Sequence, residues 1–229
     1  MKKTVLITGA TDGIGRALAV LLSKDYQLAL CGRSEEKMQR LLQELGDCPV
    51  YAESFDITDG EKRRGFCQRV KERFGTVDVL VNNAGANTKK DKIADIDLDD
   101  LRYMFELNCV SAVGMIREIY PLMAEKQSGL IVNVLSSCCL FNNPMTGSYS
   151  ATKDAMEGIS KILTKEAKAD HIGVCSVYPG GVDSNFRAVA NPNYLKPETV
   201  AKMIKNCMEV EEGCVHDIVL RPFIEDNLA

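Results

Sequence analysis

Tyr149 and Lys153 stand four residues apart in Tyr-Ser-Ala-Thr-Lys, with Ser136 thirteen residues upstream. On a helix, residues four apart share a face, so the Lys153 ammonium lies beside the Tyr149 phenol. A free tyrosine titrates near pH ~10 and is a poor proton donor at neutral pH. A cation held nearby favours the phenolate and draws that pKa toward the working range. The spacing prepares a tyrosine for acid/base chemistry. Tyr-x-x-x-Lys alone recurs on many solvated helices; its weight here comes from what precedes it.

Those groups need a scaffold and a reactant. The chain opens Lys2-Lys3-Thr4-Val5-Leu6-Ile7-Thr8, a β-branched, apolar run that predicts a buried strand. Gly9-Ala10-Thr11-Asp12-Gly13-Ile14-Gly15 follows, and Arg16 to Leu22 then carries helical apolar spacing. Strand, glycine turn and helix form the context of a dinucleotide site. Glycines let the backbone approach a pyrophosphate, and the N–H groups of the helix start face its charge. The spacing is Gly-x-x-x-Gly-x-Gly rather than Gly-x-Gly-x-x-Gly. On its own it equally suits an ordinary turn that uses glycine for positive φ.

The rest of the chain alternates in the same way. Strands are predicted at Leu28–Cys31, Val50–Phe55, Val77–Val81, Leu130–Val134, Val174–Val177 and Ile218–Leu220. Helices are predicted from Glu35 to about Leu45 (Ser34 as cap), from the Thr58-Asp59-Gly60-Glu61 capping box to Phe74, and from Leu98 to about Lys126, bent near Pro121. The helix carrying Tyr149 and Lys153 runs to about Lys168, and another follows Pro197. The pattern predicts an α/β fold, one doubly wound parallel sheet of about seven strands with helices on both faces. Ligands bind such sheets beyond the carboxyl ends of the strands, where Asn83, Ser136 and Pro179-Gly180 fall.

With 229 residues and 45% apolar content, one core accounts for residues 1–229 as a single domain. A net charge of −4 with mixed signs gives no nucleic-acid footprint. The N-terminal apolar run stops at Gly9, too short for a targeting core, and no segment approaches a membrane span. Nine cysteines without Cys-x-x-C spacing predict reduced, mostly buried thiols and a cytoplasmic location. Cys207, Cys214 and His216 make a poor metal set, and His171 and His216 are expected on the surface. A hydrolase on a similar sheet needs a Gly-x-Ser-x-Gly elbow, which is absent.

Over essentially its whole length the chain resembles the short-chain dehydrogenase/reductase family, in its compact single-domain branch. Thr8 to Gly15 matches the family's Thr-Gly-x-x-x-Gly-x-Gly cofactor turn, and Asn82-Asn83-Ala84-Gly85 its Asn-Asn-Ala-Gly motif. Asn108, Ser136, Tyr149 and Lys153 match its catalytic tetrad, and Pro179-Gly180-Gly181-Val182-Asp183-Ser184 its segment near the nicotinamide. Asp56, with Ile57 beside it, stands where the family holds the adenine. The resemblance implies an NAD(P)-dependent oxidoreductase. Tyr149 would exchange a proton with the substrate oxygen and Ser136 would hydrogen-bond it. Lys153 would lower the tyrosine pKa and hold the nicotinamide ribose, and Asn108 would order a water behind Lys153. A sensor or scaffold that had lost chemistry would be expected to lose Tyr149 or Lys153, and both are retained. The resemblance also implies a homodimer or homotetramer built on Ala112–Met123 and Ala151–Leu163, with small residues Ala112, Gly114, Ala155 and Gly158 permitting close approach.

Cofactor choice depends on the end of the second strand. NAD enzymes place an acid there for the ribose hydroxyls, whereas a nearby Arg suits the 2′-phosphate of NADP. Gly32 stands where the acid would be, followed by Arg33 and Ser34. NADP(H) is therefore favoured, with Asp12, Glu35 and Glu36 acting against it. The substrate is expected to be a small carbonyl or alcohol, bound among Cys138–Gly147, Gly85–Lys90 and Ser184–Lys196. Phe141, Met145 and Phe186 give that site an apolar part.

Overall fold

The computed structural model describes residues 2–186 and 190–225. Seven strands form one sheet: β1 (Thr4–Thr8), β2 (Gln27–Gly32), β3 (Val50–Ser54), β4 (Val79–Asn82), β5 (Gly129–Val134), β6 (Ile172–Pro179) and β7 (Asp217–Leu220). Their order is β3-β2-β1-β4-β5-β6-β7, and every neighbouring pair is parallel. Parallel neighbours need crossovers, supplied by α1 (Gly13–Leu22), α2 (Glu35–Leu45), α3 (Gly60–Phe74), α4 (Leu98–Phe105), α5 (Ser111–Lys126), α6 (Gly147–Glu166) and α7 (Pro197–Met208). The fold is the expected Rossmann-like doubly wound sheet. Strand order reverses between β1 and β4, which opens a crevice at their carboxyl ends.

Alternation along each strand builds two cores. Val5 and Ile7 of β1, Val79 and Val81 of β4, and Cys175 and Val177 of β6 point to the face covered by α1, α2 and α7. Leu6, Leu80, Val174 and Tyr178 point to the other face, under α3, α5 and α6. Both faces are buried, which is why the strands read as continuous apolar runs.

Two local expectations change. The long helix is not continuous: a π turn at Glu106–Val110 separates α4 from α5, and Asn108 lies inside it. With Pro121 inside it, α5 ends at Lys126 as expected. The cap of α3 is Asp59, whose carboxylate accepts from the N–H groups of Glu61 and Lys62. Thr58, the residue the capping box called for, is engaged by Asp56 instead. Ser34 does cap α2, accepting from Lys37 N at 3.3 Å.

The small residues of α5 and α6 divide. Ala112 is buried in the core, and a side chain on Gly114 would strike Arg63, 2.4 Å from its Nε. Gly158 has open space beside it, in a shallow apolar depression lined with Val113, Ile116, Ala155, Ile159 and Ile162. Among the described residues no helix is long and apolar enough to cross a membrane. Nor do they include a metal-binding cluster: Cys207 faces Cys175, while Cys214 and His216 both turn toward the Val174 carbonyl.

Candidate active site

A cavity of about 1320 Å³ opens at the carboxyl ends of the strands. Ordinary ligand pockets hold roughly 300–1,000 Å³, so this one has room for a dinucleotide and a small reactant together. Its lining unites Gly9, Thr11, Asp12, Gly13 and Ile14 after β1 with Arg33 and Ser34 after β2. Ile57, then Asn83, Ala84 and Gly85 after β4, continue it, as do Pro179 at the end of β6 and Gly180, Val182 and Ser184 beyond it. Ser136, Tyr149 and Lys153 complete the wall. Gly15, Asp56 and Asn108, expected among the site residues, lie outside this lining.

The turn after β1 fits a pyrophosphate by what it lacks. Gly9 and Gly13 have φ of +64° and +49°, and a Cβ on Gly9 would sit 2.9 Å from Ala84 Cα. Gly15 serves packing: a Cβ there would meet the Gly9 carbonyl oxygen at 2.4 Å. Asn83 locks the turn to β4, its Nδ2 donating to the carbonyls of Thr8 and Gly9 at 2.9 and 3.2 Å. The Thr8 hydroxyl accepts from the N–H groups of Asn83 and Ala84, both at 3.0 Å.

At the end of the cavity formed after β2, Gly32 is glycine for a reason. A Cβ there would lie 2.6 Å from Thr11 Cγ2, so a side chain at this position requires Thr11 to shift. The exposed Arg33 donates to the Tyr103 hydroxyl at 3.1 Å. Asp12 caps α1 through Gly13 N at 2.8 Å, is paired with Lys37, and accepts from Asn185 Nδ2 at 3.1 Å on both oxygens. Burial pushes its carboxyl up, but the hydrogen bonds from Lys37, Asn185 and Gly13 win and hold it below the usual range. Lys37 lines the cavity beside Ser34. Sequence reading passed over it; its place one turn into the helix that Ser34 caps was the available signal. Asp56 Oδ1 is taken by Thr58, at 3.0 Å from its N and 2.8 Å from its Oγ1.

At the other end, Tyr149 sits in the first turn of α6 and Lys153 one turn on. Lys153 Nζ is 5.9 Å from the Tyr149 ring centroid and donates to the Val134 carbonyl at 2.9 Å. The side chain is buried, and desolvation draws its pKa below the ordinary lysine value. Ser136 follows β5, its hydroxyl accepting from Cys138 N at 3.3 Å. The Asn108 amide clamps the loop after β4 to α6. Its Oδ1 accepts from Ala86 N at 2.9 Å, and its Nδ2 donates to Ala86 O at 2.9 Å and Thr152 Oγ1 at 3.0 Å.

Of the three apolar residues expected around a substrate, Phe186 alone lines the cavity, its ring edge-on to Tyr149 at 5.9 Å between centroids. Phe141 lies beneath the Arg221 guanidinium, 4.1 Å away, and Met145 is at the surface with φ of +67°. Within Ser184–Lys196, residues 187–189 lie outside the described residues. The segment is pinned at its base, where Val182 bridges Leu195 and Asp183 accepts from Asn191 N. Glu225, which no motif or spacing singles out, accepts from Gly181 N at 2.6 Å and joins the lining with Arg221.

Residues 3–195 match the family model for short chain dehydrogenases. The chain belongs to the short-chain dehydrogenase family. It is an oxidoreductase that acts with NAD(P). An uncharacterized oxidoreductase of Staphylococcus aureus strain MW2 is 30% identical over 225 residues, 96% of this chain and 97% of its own. An NADPH-dependent pterin aldehyde reductase of Arabidopsis thaliana is 31% identical over 186 residues, covering 80% of this chain and 76% of that one. An alcohol dehydrogenase from Thermococcus sibiricus, solved with 5-hydroxy-NADP, superposes with a TM-score of 0.91 at 27% identity and covers 97% of both chains. The cavity thus brings the glycine turn after β1 together with Ser136, Tyr149 and Lys153.

Proposed function

We propose that the protein is an NADPH-dependent reductase of small carbonyl compounds, able to run in reverse as an alcohol dehydrogenase. The observation that carries this reading is the meeting of Ser136, Tyr149 and Lys153 in the same cavity as the glycine turn. When bound, the cofactor supplies the hydride. The chain supplies the proton: Tyr149 donates it to the carbonyl oxygen, while Ser136 donates a hydrogen bond to the same atom. The buried Lys153 ammonium favours the phenolate that Tyr149 becomes. Asn108 holds the loop after β4 against α6 and would order a water that links Lys153 to solvent.

The residues present suit an NADP molecule. Gly9, Thr11, Asp12, Gly13 and Ile14 would cradle the pyrophosphate, with Gly15 keeping α1 close. Arg33, the Ser34 hydroxyl proton and Lys37 would meet the 2′-phosphate. Asp56 would offer Oδ2 to the adenine amino group beside Ile57. Asn83, Ala84, Gly85, Pro179, Gly180, Val182 and Ser184 would surround the nicotinamide riboside. The crowding of Gly32 by Thr11, the NADPH dependence of the plant relative and the NADP analogue in the archaeal structure support NADP over NAD. A panel of ketones and aldehydes assayed with NADPH and NADH tests the reading; NADPH oxidation by at least one carbonyl is expected, and none with either cofactor refutes it.

The assembly we infer is a homodimer or homotetramer of a single-domain chain, residues 1–229, in the cytoplasm. The apolar depression around Gly158, with Val110, Ile159 and Ile162 exposed at 46, 37 and 54%, is the face a second copy would cover. Sedimentation showing only a 25.2 kDa species at micromolar protein contradicts it.

A further inference from the structure

The two glycines after β6 are gripped by the stretch that follows β7. Gly180 N donates to Leu220 O at 2.7 Å, and Gly181 N donates to Glu225 Oε1 at 2.6 Å. The first bond is main chain to main chain and ends the β6–β7 ladder; the second depends on one carboxylate. A Cβ on Gly180 would run into that carboxylate, with Pro222 Cδ 2.9 Å away, and a Cβ on Gly181 would lie 2.5 Å from Tyr194 Cδ1. Glu225 is held in its turn. Its Oε2 accepts from Arg221 Nε at 3.3 Å, and the Arg221 guanidinium lies 4.1 Å from the centroid of the Phe141 ring. The Arg221 and Glu225 side chains line the cavity and are only 12 and 22% exposed, so the pair is partly protected from solvent. Phe141 belongs to the loop that Ser136 opens, its N donating to Ser137 O at 2.9 Å. A chain of contacts thus runs from the serine loop through Arg221 and Glu225 to the Gly181 N–H.

We propose that Glu225 is a positioning residue for the nicotinamide: its carboxylate fixes the Gly180–Gly181 backbone, and Arg221 fixes the carboxylate. This rests on the reading above that puts the nicotinamide riboside against Pro179, Gly180, Val182 and Ser184. Two adjacent glycines give that backbone little stiffness of its own. A carboxylate suits the task of stiffening it, because each oxygen can accept from a different partner and its hydrogen bonds are stronger than neutral ones. The stakes lie in the chemistry, where a misplacement of about 1 Å at a reacting group costs on the order of 10²-fold in rate.

The test compares NADPH with 2′-phospho-ADP-ribose by calorimetry on the whole protein. The second ligand keeps the adenosine and pyrophosphate and lacks the nicotinamide, so the ratio of the two affinities reports the nicotinamide end alone. Glu225→Ala should cut that ratio about tenfold, the lower end for one hydrogen bond to a charged group, with the fragment bound within about twofold of the parent. Glu225→Gln keeps an acceptor for the Gly181 N–H and should hold the ratio within about threefold of the parent. Glu225→Asp keeps the charge and shortens the reach; it should fall with Glu225→Ala, and it replaces that variant if the alanine chain does not fold. Turnover of a carbonyl with NADPH should follow the same order, glutamine above aspartate and alanine. Equal losses of both ligands in Glu225→Ala, or an unchanged ratio, overturn the proposal and leave Glu225 a support of the chain end only. A parent that binds the two ligands alike overturns it as well. The ratio is read without a carbonyl, so it tests Glu225 even in a chain that reduces none, and NADH with ADP-ribose gives the same comparison in a chain that binds NAD.

Discussion

Arg33→Ala should weaken NADPH binding while leaving NADH almost unchanged. The guanidinium is exposed beyond β2 and spends one donor on the Tyr103 hydroxyl, so the remaining N–H groups of its fork are available to a 2′-phosphate. A hydrogen bond to a charged group contributes about 1.5–3 kcal/mol, or roughly 10- to 150-fold in affinity. Solvent screening at this exposed position places the expected loss near the lower end, about 10- to 30-fold. Lys37 sets up an internal comparison, because Asp12 holds it while Asp12 also caps α1. Asp12→Asn keeps a good cap and frees Lys37. It should therefore raise NADPH affinity by about 2- to 5-fold, the scale of a partly exposed ion pair, and more at low salt. Calorimetric titration of both cofactors against both variants measures this. Equal losses of NADH and NADPH in Arg33→Ala refute the reasoning, since they would make Arg33 a general support of the adenosine pocket.

Gly32→Asp alone should fail to create an NAD enzyme and should cost about 1–3 kcal/mol in urea unfolding, because its Cβ meets Thr11; adding Thr11→Gly should restore stability and shift preference toward NADH, and a stable, NADH-preferring single variant contradicts this. Lys153→Met should abolish most turnover yet raise thermal stability at pH 7 by on the order of 1–3 kcal/mol, since burying an ammonium costs more than its hydrogen bond to Val134 O returns. Because the folded-state pKa of Lys153 lies below its unfolded value, the parent gains stability as pH rises between the two, so the gap to Lys153→Met should narrow toward pH ~10. A gap that widens with pH, or a variant less stable at pH 7, refutes the burial argument.

The sheet was legible because both of its faces are covered: strands such as Thr4–Thr8 read as unbroken apolar runs followed by helical spacing. The helix bearing Tyr149 and Lys153 was legible for the same reason. The break at Glu106–Val110 was not, because one extra residue in a helical turn leaves the apolar period nearly intact. Asn108 signalled it only as a polar residue inside a buried helix. Asp59 displaced Thr58 as a cap because a neighbouring carboxylate, Asp56, had already engaged the threonine. Lys37 was signalled only by its place one turn into the helix that Ser34 caps; Arg221 and Glu225 were invisible as site residues, because each reaches the cavity from a distant stretch of chain and no local spacing encodes that. The role of Gly32 needed Thr11 in space; the sequence showed the missing acid, and the packing gives the reason.

The measurement that bears most directly on the central claim is the turnover of Tyr149→Phe on a carbonyl that the parent reduces with NADPH. The change deletes one phenolic oxygen and with it the transferable proton, leaving the ring against Phe186 and Lys153 in place. Turnover should fall about 10²- to 10⁴-fold, the usual contribution of a positioned acid/base group, with NADPH affinity within a few-fold of the parent. Turnover within a few-fold of the parent on the same carbonyl would remove Tyr149 from the chemistry, and with it the account of this cavity as the site of proton transfer.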